Sequence, residues 1–95
     1  MLPKLFAIIE DRKANPRPGS YTLQLIEAGE DSILQKIGEE TIEVLLAAKD
    51  QGDRRVIEEI ADLFYHSLVL LSFRGLSLQQ VEDELARRHG ENQTP

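Results

Sequence analysis

Two long helix-forming runs meet at Gly52 with only about three residues between them, and that joint dictates most of what this chain can become. Asp31 to about Asp50 holds one glycine and no proline, and Asp53 to about Arg74 holds neither. Asp31 and Asp53 are each placed to cap the run that follows, while Gly52 and Gly75 are placed to stop the run that precedes. A connection this short forces consecutive helices into an antiparallel hairpin.

The rest of the chain is punctuated in the same way. Leu2 to Lys13 reads as a first helix, ended by Asn15-Pro16-Arg17-Pro18-Gly19, where two prolines and a glycine forbid continuation. Ser20 caps a short helix to Ala28, stopped by Gly29. Ser77-Leu78-Gln79-Gln80 spells a capping box that opens a last helix to about His89, stopped by Gly90. The tail, Glu91 to Pro95, is expected to fray. No stretch alternates apolar and polar residues over a strand's length, so the expectation is an all-α bundle of about five helices and no sheet.

The hairpin aligns acids. Glu43 lies nine positions before Gly52 and Asp62 ten after it. At about 1.5 Å rise per residue they stand at nearly the same height, bracketed by Glu40 and Glu59. Residues three apart share a helix face, so Glu40 pairs with Glu43 and Glu59 with Asp62, and four carboxylates converge between facing helices. Oxygen-only ligands suit a hard cation, Mg²⁺ or Mn²⁺, rather than zinc. The bland alternative is a solvated acidic face. At about 100° per residue, however, Lys36, Glu39, Glu40, Glu43 and Asp50 crowd into one wedge walled by Ile33, Ile37 and Val44 on one side and Ile42 and Leu46 on the other. Glu59, Asp62 and His66 form a similar wedge between Leu63 and Leu70 on one side and Val69 on the other. That pattern favours a metal site. A di-iron bundle would use Glu-x-x-His motifs, and none occurs.

Composition narrows the function classes. The 95 residues make one domain, 1–95, and starting at Met1 it is expected to be a whole chain rather than a piece of a larger one. A chain this short buries only about 60–65% of its unfolded surface, which makes it a natural oligomer. No cysteine is present, so disulfides and thiolate metal sites are excluded. Net charge is −6, and between Glu39 and Asp62 eight acids face three bases, five of the six excess negatives. Such a chain is a poor nucleic-acid binder. An anionic ligand there would need a cation beside it. The N-terminus has no signal-peptide pattern, and Ile60 to Phe73 is too short for a membrane span, so a cytoplasmic protein is expected.

Smaller features carry two readings each. His66 sits one turn beyond Asp62; it can orient a carboxylate, touch a phosphate or satisfy a buried hydrogen bond, and the structural role is favoured. His89 complements a helix dipole. Gly38, inside a helix, costs about 1 kcal/mol against alanine and suggests a close approach, with helix packing slightly ahead of a ligand. Ser20, Tyr21 and Thr22 stand at a helix N-terminus as an anion or ribose contact, or as an ordinary cap, evenly balanced. The second long helix is apolar nearly all round, from Ile57 to Phe73, so it must be buried on more than one side; a homodimer is the expected consequence.

Three blocks carry a resemblance: Ser20-Tyr21-Thr22, Lys36-Ile37-Gly38-Glu39-Glu40-Thr41-x-Glu43, and Ala61-Asp62-Leu63-x-Tyr65-His66. Over roughly Ser20 to Arg88 the chain resembles the phosphoribosyl-ATP pyrophosphohydrolases of histidine biosynthesis. These are similar in fold to the all-α nucleoside-triphosphate pyrophosphohydrolases, which share Glu-x-x-Glu followed downstream by Glu-x-x-Asp. The resemblance implies hydrolysis of phosphoribosyl-ATP to phosphoribosyl-AMP and pyrophosphate. It implies Mg²⁺ on Glu40, Glu43, Glu59 and Asp62, and Glu39 as proton acceptor for water, a role Glu40 could exchange with it. Lys36 would pair with phosphate oxygens or with the glutamates, and Ser20, Tyr21 and Thr22 would contact substrate. It also implies a separate cyclohydrolase as pathway partner. Two rivals compete: a house-cleaning pyrophosphatase for other nucleoside triphosphates, using the same site, and a non-catalytic helical adaptor.

Overall fold

The structure, a computed structural model, describes residues 1–90; the expected fraying of 91–95 lies outside the described residues. Among the described residues there are five α-helices and no strand: α1 Leu2–Ala14, α2 Tyr21–Ala28, α3 Glu30–Leu46, α4 Asp53–Phe73 and α5 Leu78–Arg88. A π-helical turn, Ala47–Gln51, continues α3 to the joint.

Local chemistry explains the boundaries. Ser20 caps α2 by accepting the Leu23 amide at 3.2 Å. Ser77 accepts the Gln80 amide at 3.2 Å while Gln80 Oε1 accepts the Ser77 amide at 2.8 Å, completing the capping box of α5. Asp31 and Asp53 are not caps. Gly29 and Gly52 hold those positions, with φ of 103° and 87°, because the chain must turn between helices within one residue and only glycine enters that region freely. The two aspartates lie in the first turns instead, where their charge complements the helix dipole.

The chain doubles back at Gly52. Arg74 Nη1 donates to Glu30 Oε2 at 2.8 Å, tying the end of α4 to the start of α3, so the two helices lie side by side in opposite directions. α1 and α2 pack across them. The core is small: Ile9 from α1, Leu25 from α2, Ile33 from α3, and Leu68 and Val69 from α4. Ile33 and Val69 are fully buried. Truncating Ile33 to alanine would cost roughly 2–5 kcal/mol by transfer and cavity together.

Much apolar surface is left over. Ile42, Leu45, Leu46, Ile57 and Phe64 are all exposed. α5 buries no residue; its Leu78, Val81 and Leu85 line a groove of ≈ 470 Å³ against Phe64, Leu68 and Leu71 of α4. The radius of gyration is 15.0 Å, against about 12 Å for a compact chain of this length. α4 therefore is not enclosed by its own chain, as its all-round apolarity requires. Gly38 is also not where helix packing called for it: a Cβ there would meet nothing within 4 Å. No described helix is long and apolar enough to cross a membrane.

Candidate metal centre

The hairpin brings Glu40 of α3 against Glu59 and Asp62 of α4. One carboxylate oxygen from each lies within 4.8 Å of the other two. The three-residue spacing on α4 aims Glu59 and Asp62 the same way, and the opposed run of α3 brings Glu40 level with them. The group spans a gradient of exposure: Glu59 is buried, Glu40 is half-buried, and Asp62 faces solvent. An ion could therefore enter from the Asp62 side.

Three carboxylates this close oppose one another's ionisation. Glu40 is raised from 4.5 to about 7, first by burial, then by its hydrogen bond with Glu59, then by the charges of Asp62 and Glu59; Lys36 works against the rise. Near neutrality the cluster thus keeps a proton where it wants positive charge. Arg55 also compensates it, donating from Nη2 to Glu59 Oε1 and from Nη1 to Glu58 Oε1 at 2.7 Å. An all-oxygen donor set, closely spaced, on rigid helices and short of positive charge fits a hard divalent cation such as Mg²⁺ or Mn²⁺.

Two expected acids stand outside the group. Glu43 is half-buried one turn along α3 from Glu40, and Glu39 is exposed. A fourth carboxylate added to the group without a cation would increase its repulsion. Lys36 is half-buried, close enough to lower Glu40 through its charge.

The Ser20–Thr22 segment is carried to α4 by hydroxyls. Tyr21 Oη meets His66 Nε2 at 3.0 Å, and the buried Thr22 shares a hydrogen bond between its Oγ1 and Tyr65 Oη. The Tyr21 and Tyr65 rings stack at 6.2 Å, and His66 stands edge-on to both, at 6.0 and 5.0 Å. Ser20 accepts the Leu23 amide as the cap of α2. Sequence reasoning placed His66 on the acidic wedge but missed its partner Tyr21, 45 residues away. It also missed Arg55, for which the i,i+4 spacing to Glu59 was an available signal.

Fold and site together define an all-helical protein with a carboxylate cluster set in an antiparallel hairpin. Residues 2–89 match the protein family described as phosphoribosyl-ATP pyrophosphohydrolase. A phosphoribosyl-ATP pyrophosphatase of Clostridium acetobutylicum is 51% identical over 89 residues, 94% of this chain and 81% of its own. One from Methanocella arvoryzae is 42% identical over 90 residues, covering 93% and 95%. The histidine biosynthesis bifunctional protein HisIE of Gloeobacter violaceus is 51% identical over 87 residues, 92% of this chain but 39% of its own. The chain belongs to the phosphoribosyl-ATP pyrophosphohydrolase family.

Proposed function

We propose that the chain hydrolyses phosphoribosyl-ATP to phosphoribosyl-AMP and pyrophosphate, with Mg²⁺ held by Glu40, Glu59 and Asp62 and by Glu43 once it turns inward. The observation that carries the reading is the three-carboxylate cluster, in a chain of this family. Bound there, Mg²⁺ would offset charge on the leaving pyrophosphate and acidify a water. Glu39, exposed beside Glu40, is free to accept the proton of that water. Lys36 offers its ammonium to phosphate oxygens. Ser20, Tyr21 and Thr22 would contact substrate, a role supported by the bond that joins Tyr21 to His66 of α4. Cleavage separates the α- and β-phosphoryl groups, with water adding its oxygen to one and the bridging oxygen leaving with the other.

The working form in this reading is a cytoplasmic homodimer. Exposed Ile42, Leu45, Leu46, Ile57 and Phe64 on the hairpin, together with the extended shape, support a second chain covering α4. A separate cyclohydrolase is the expected pathway partner; the length of the Gloeobacter relative left unmatched, in a protein named bifunctional, supports that link. The test is pyrophosphate release from phosphoribosyl-ATP with Mg²⁺ and with EDTA, beside a panel of ordinary and deoxy nucleoside triphosphates. Metal-dependent release from phosphoribosyl-ATP alone is expected. Turnover of another triphosphate in its place would keep the metal site and reject the substrate. No turnover of anything would leave the adaptor reading. Light scattering tests the dimer, and a monomer at micromolar concentration would reject it.

A further inference from the structure

His66 is buried, 5% exposed, in a place where a leucine would have cost less. Both ring nitrogens are occupied. Nδ1 lies 2.9 Å from the carbonyl oxygen of Asp62, which can only accept, so Nδ1 carries a proton. Nε2 is then free to accept the Tyr21 hydroxyl proton at 3.0 Å. The ring is walled by Tyr65 and Tyr21, so neither a flip nor a rotation is open to it without breaking a hydrogen bond. With the ring held this way, the Nδ1–H edge also faces Glu40, 4.0 Å from Oε1. The Nδ1 hydrogen is donated to the Asp62 carbonyl, so at 4.0 Å it acts on the half-buried Glu40 carboxylate as a fixed dipole and not as a hydrogen bond.

We propose that His66, clamped by Tyr21, is a positioning residue for the metal centre: its Nδ1–H, anchored on the Asp62 turn, holds Glu40 in the arrangement that binds the cation. The inference rests on the metal reading above and adds to it. It gives Tyr21 a task besides any contact with substrate, and it links the start of α2 to the hairpin site through one hydrogen-bonded ring. Groups that orient a ligand in this way typically set metal affinity by 10–100-fold when lost.

The two nitrogens can be separated by substitution. His66→Asn keeps an amide nitrogen where Nδ1 lies and loses the partner for Tyr21. His66→Gln places its amide near Nε2 and leaves the Nδ1 position without a donor. The measurement is Mn²⁺ binding to the otherwise unchanged chain, followed by the electron paramagnetic resonance signal of free Mn²⁺. Thermal melts of each metal-free variant show that it is folded at the assay temperature. H66Q is expected to bind Mn²⁺ roughly tenfold more weakly, and H66N and Y21F each about two- to threefold more weakly, than wild type. A purely structural histidine would lower the melting temperature and leave Mn²⁺ affinity alone. Equal affinity in wild type and H66Q, or equal losses in H66Q and H66N, would overturn the inference while leaving the metal reading intact. Absence of saturable Mn²⁺ binding by the wild type would overturn the metal reading and this inference with it. If H66Q does not fold, Y21F, which removes one oxygen, decides: a loss of about two- to threefold supports the clamp, and unchanged affinity rejects it.

Discussion

Lowering the pH from 8 to 6 should weaken divalent-cation binding about tenfold, through Glu40. Its carboxyl is raised to about 7 by burial, by hydrogen bonding to Glu59 and by the charges of Asp62 and Glu59. A cation needs the carboxylate, so proton and metal compete for the same oxygen. At pH 8 about nine tenths of the Glu40 groups are ionised and at pH 6 about one tenth, which sets the tenfold loss. Above pH 8 the affinity should level off. Calorimetry with Mn²⁺ in buffers of different ionisation enthalpy checks both parts: about one proton released per ion at pH 6 and nearly none at pH 8. The metal-free protein should trend the other way. Glu40 has a folded value above its ordinary 4.5, so the stability it contributes is full below that value and is lost as pH rises through about 7. Glu40→Gln should flatten that slope and remove the pH dependence of binding. Affinity that is flat from pH 6 to 8, or a Gln variant that keeps the wild-type slope, would refute the competition.

Glu43→Gln should leave the melting temperature of the metal-free chain nearly unchanged and cut turnover at least a hundredfold, roughly 3 kcal/mol of transition-state stabilisation; turnover near wild type would remove Glu43 from the ligand set. Gly38→Ala should raise stability by about 0.5–1 kcal/mol, because the added methyl meets open space on an exposed helical turn. A melting temperature that falls instead would refute that account, and lost activity in a stabilised variant would place Gly38 at a contact made with substrate or a second chain. Ser20→Ala should lower stability by about 1 kcal/mol through the lost Leu23 cap. KM then separates the two readings of Ser20: a rise means the hydroxyl also meets substrate, and an unchanged value means it only caps.

Most helix ends were legible because their signals are local. A serine that accepts an amide three residues on, or a glycine at positive φ, does the same work in any fold, and Ser20, Ser77, Gly29 and Gly52 behave accordingly. The errors came where two local signals competed. Gly29 reads as a stop and Asp31 as the next start, and the glycine took both roles because one helix ends where the next begins. The π turn Ala47–Gln51 has no residue signature, since it arises from fitting α3 to the reversal at Gly52. In the site, rise per residue was enough to bring Glu40, Glu59 and Asp62 level. It could not say that Glu43 would stand outside that group, because level spacing along a helix does not fix where a side chain ends. Nor could it join Tyr21 to His66, which depends on how α2 crosses the hairpin.

The placement of the cluster has an energetic logic. Glu40, Glu59 and Asp62 repel one another, and a chain whose core holds five buried apolar side chains has little stability to set against that. The repulsion falls on the long hairpin, whose carboxylates project from helical backbone that cannot relax by unwinding one residue at a time. The chain lessens it by the raised pKa of Glu40, which favours its neutral form, and by the Arg55 guanidinium on Glu59. Binding a cation then returns free energy to the fold, about 2.7 kcal/mol at a hundredfold excess over its Kd, which is a large fraction of the total for a domain of this size. In the proposed site the solvent-facing carboxylate of Asp62 would leave the open side of the cluster to the ion.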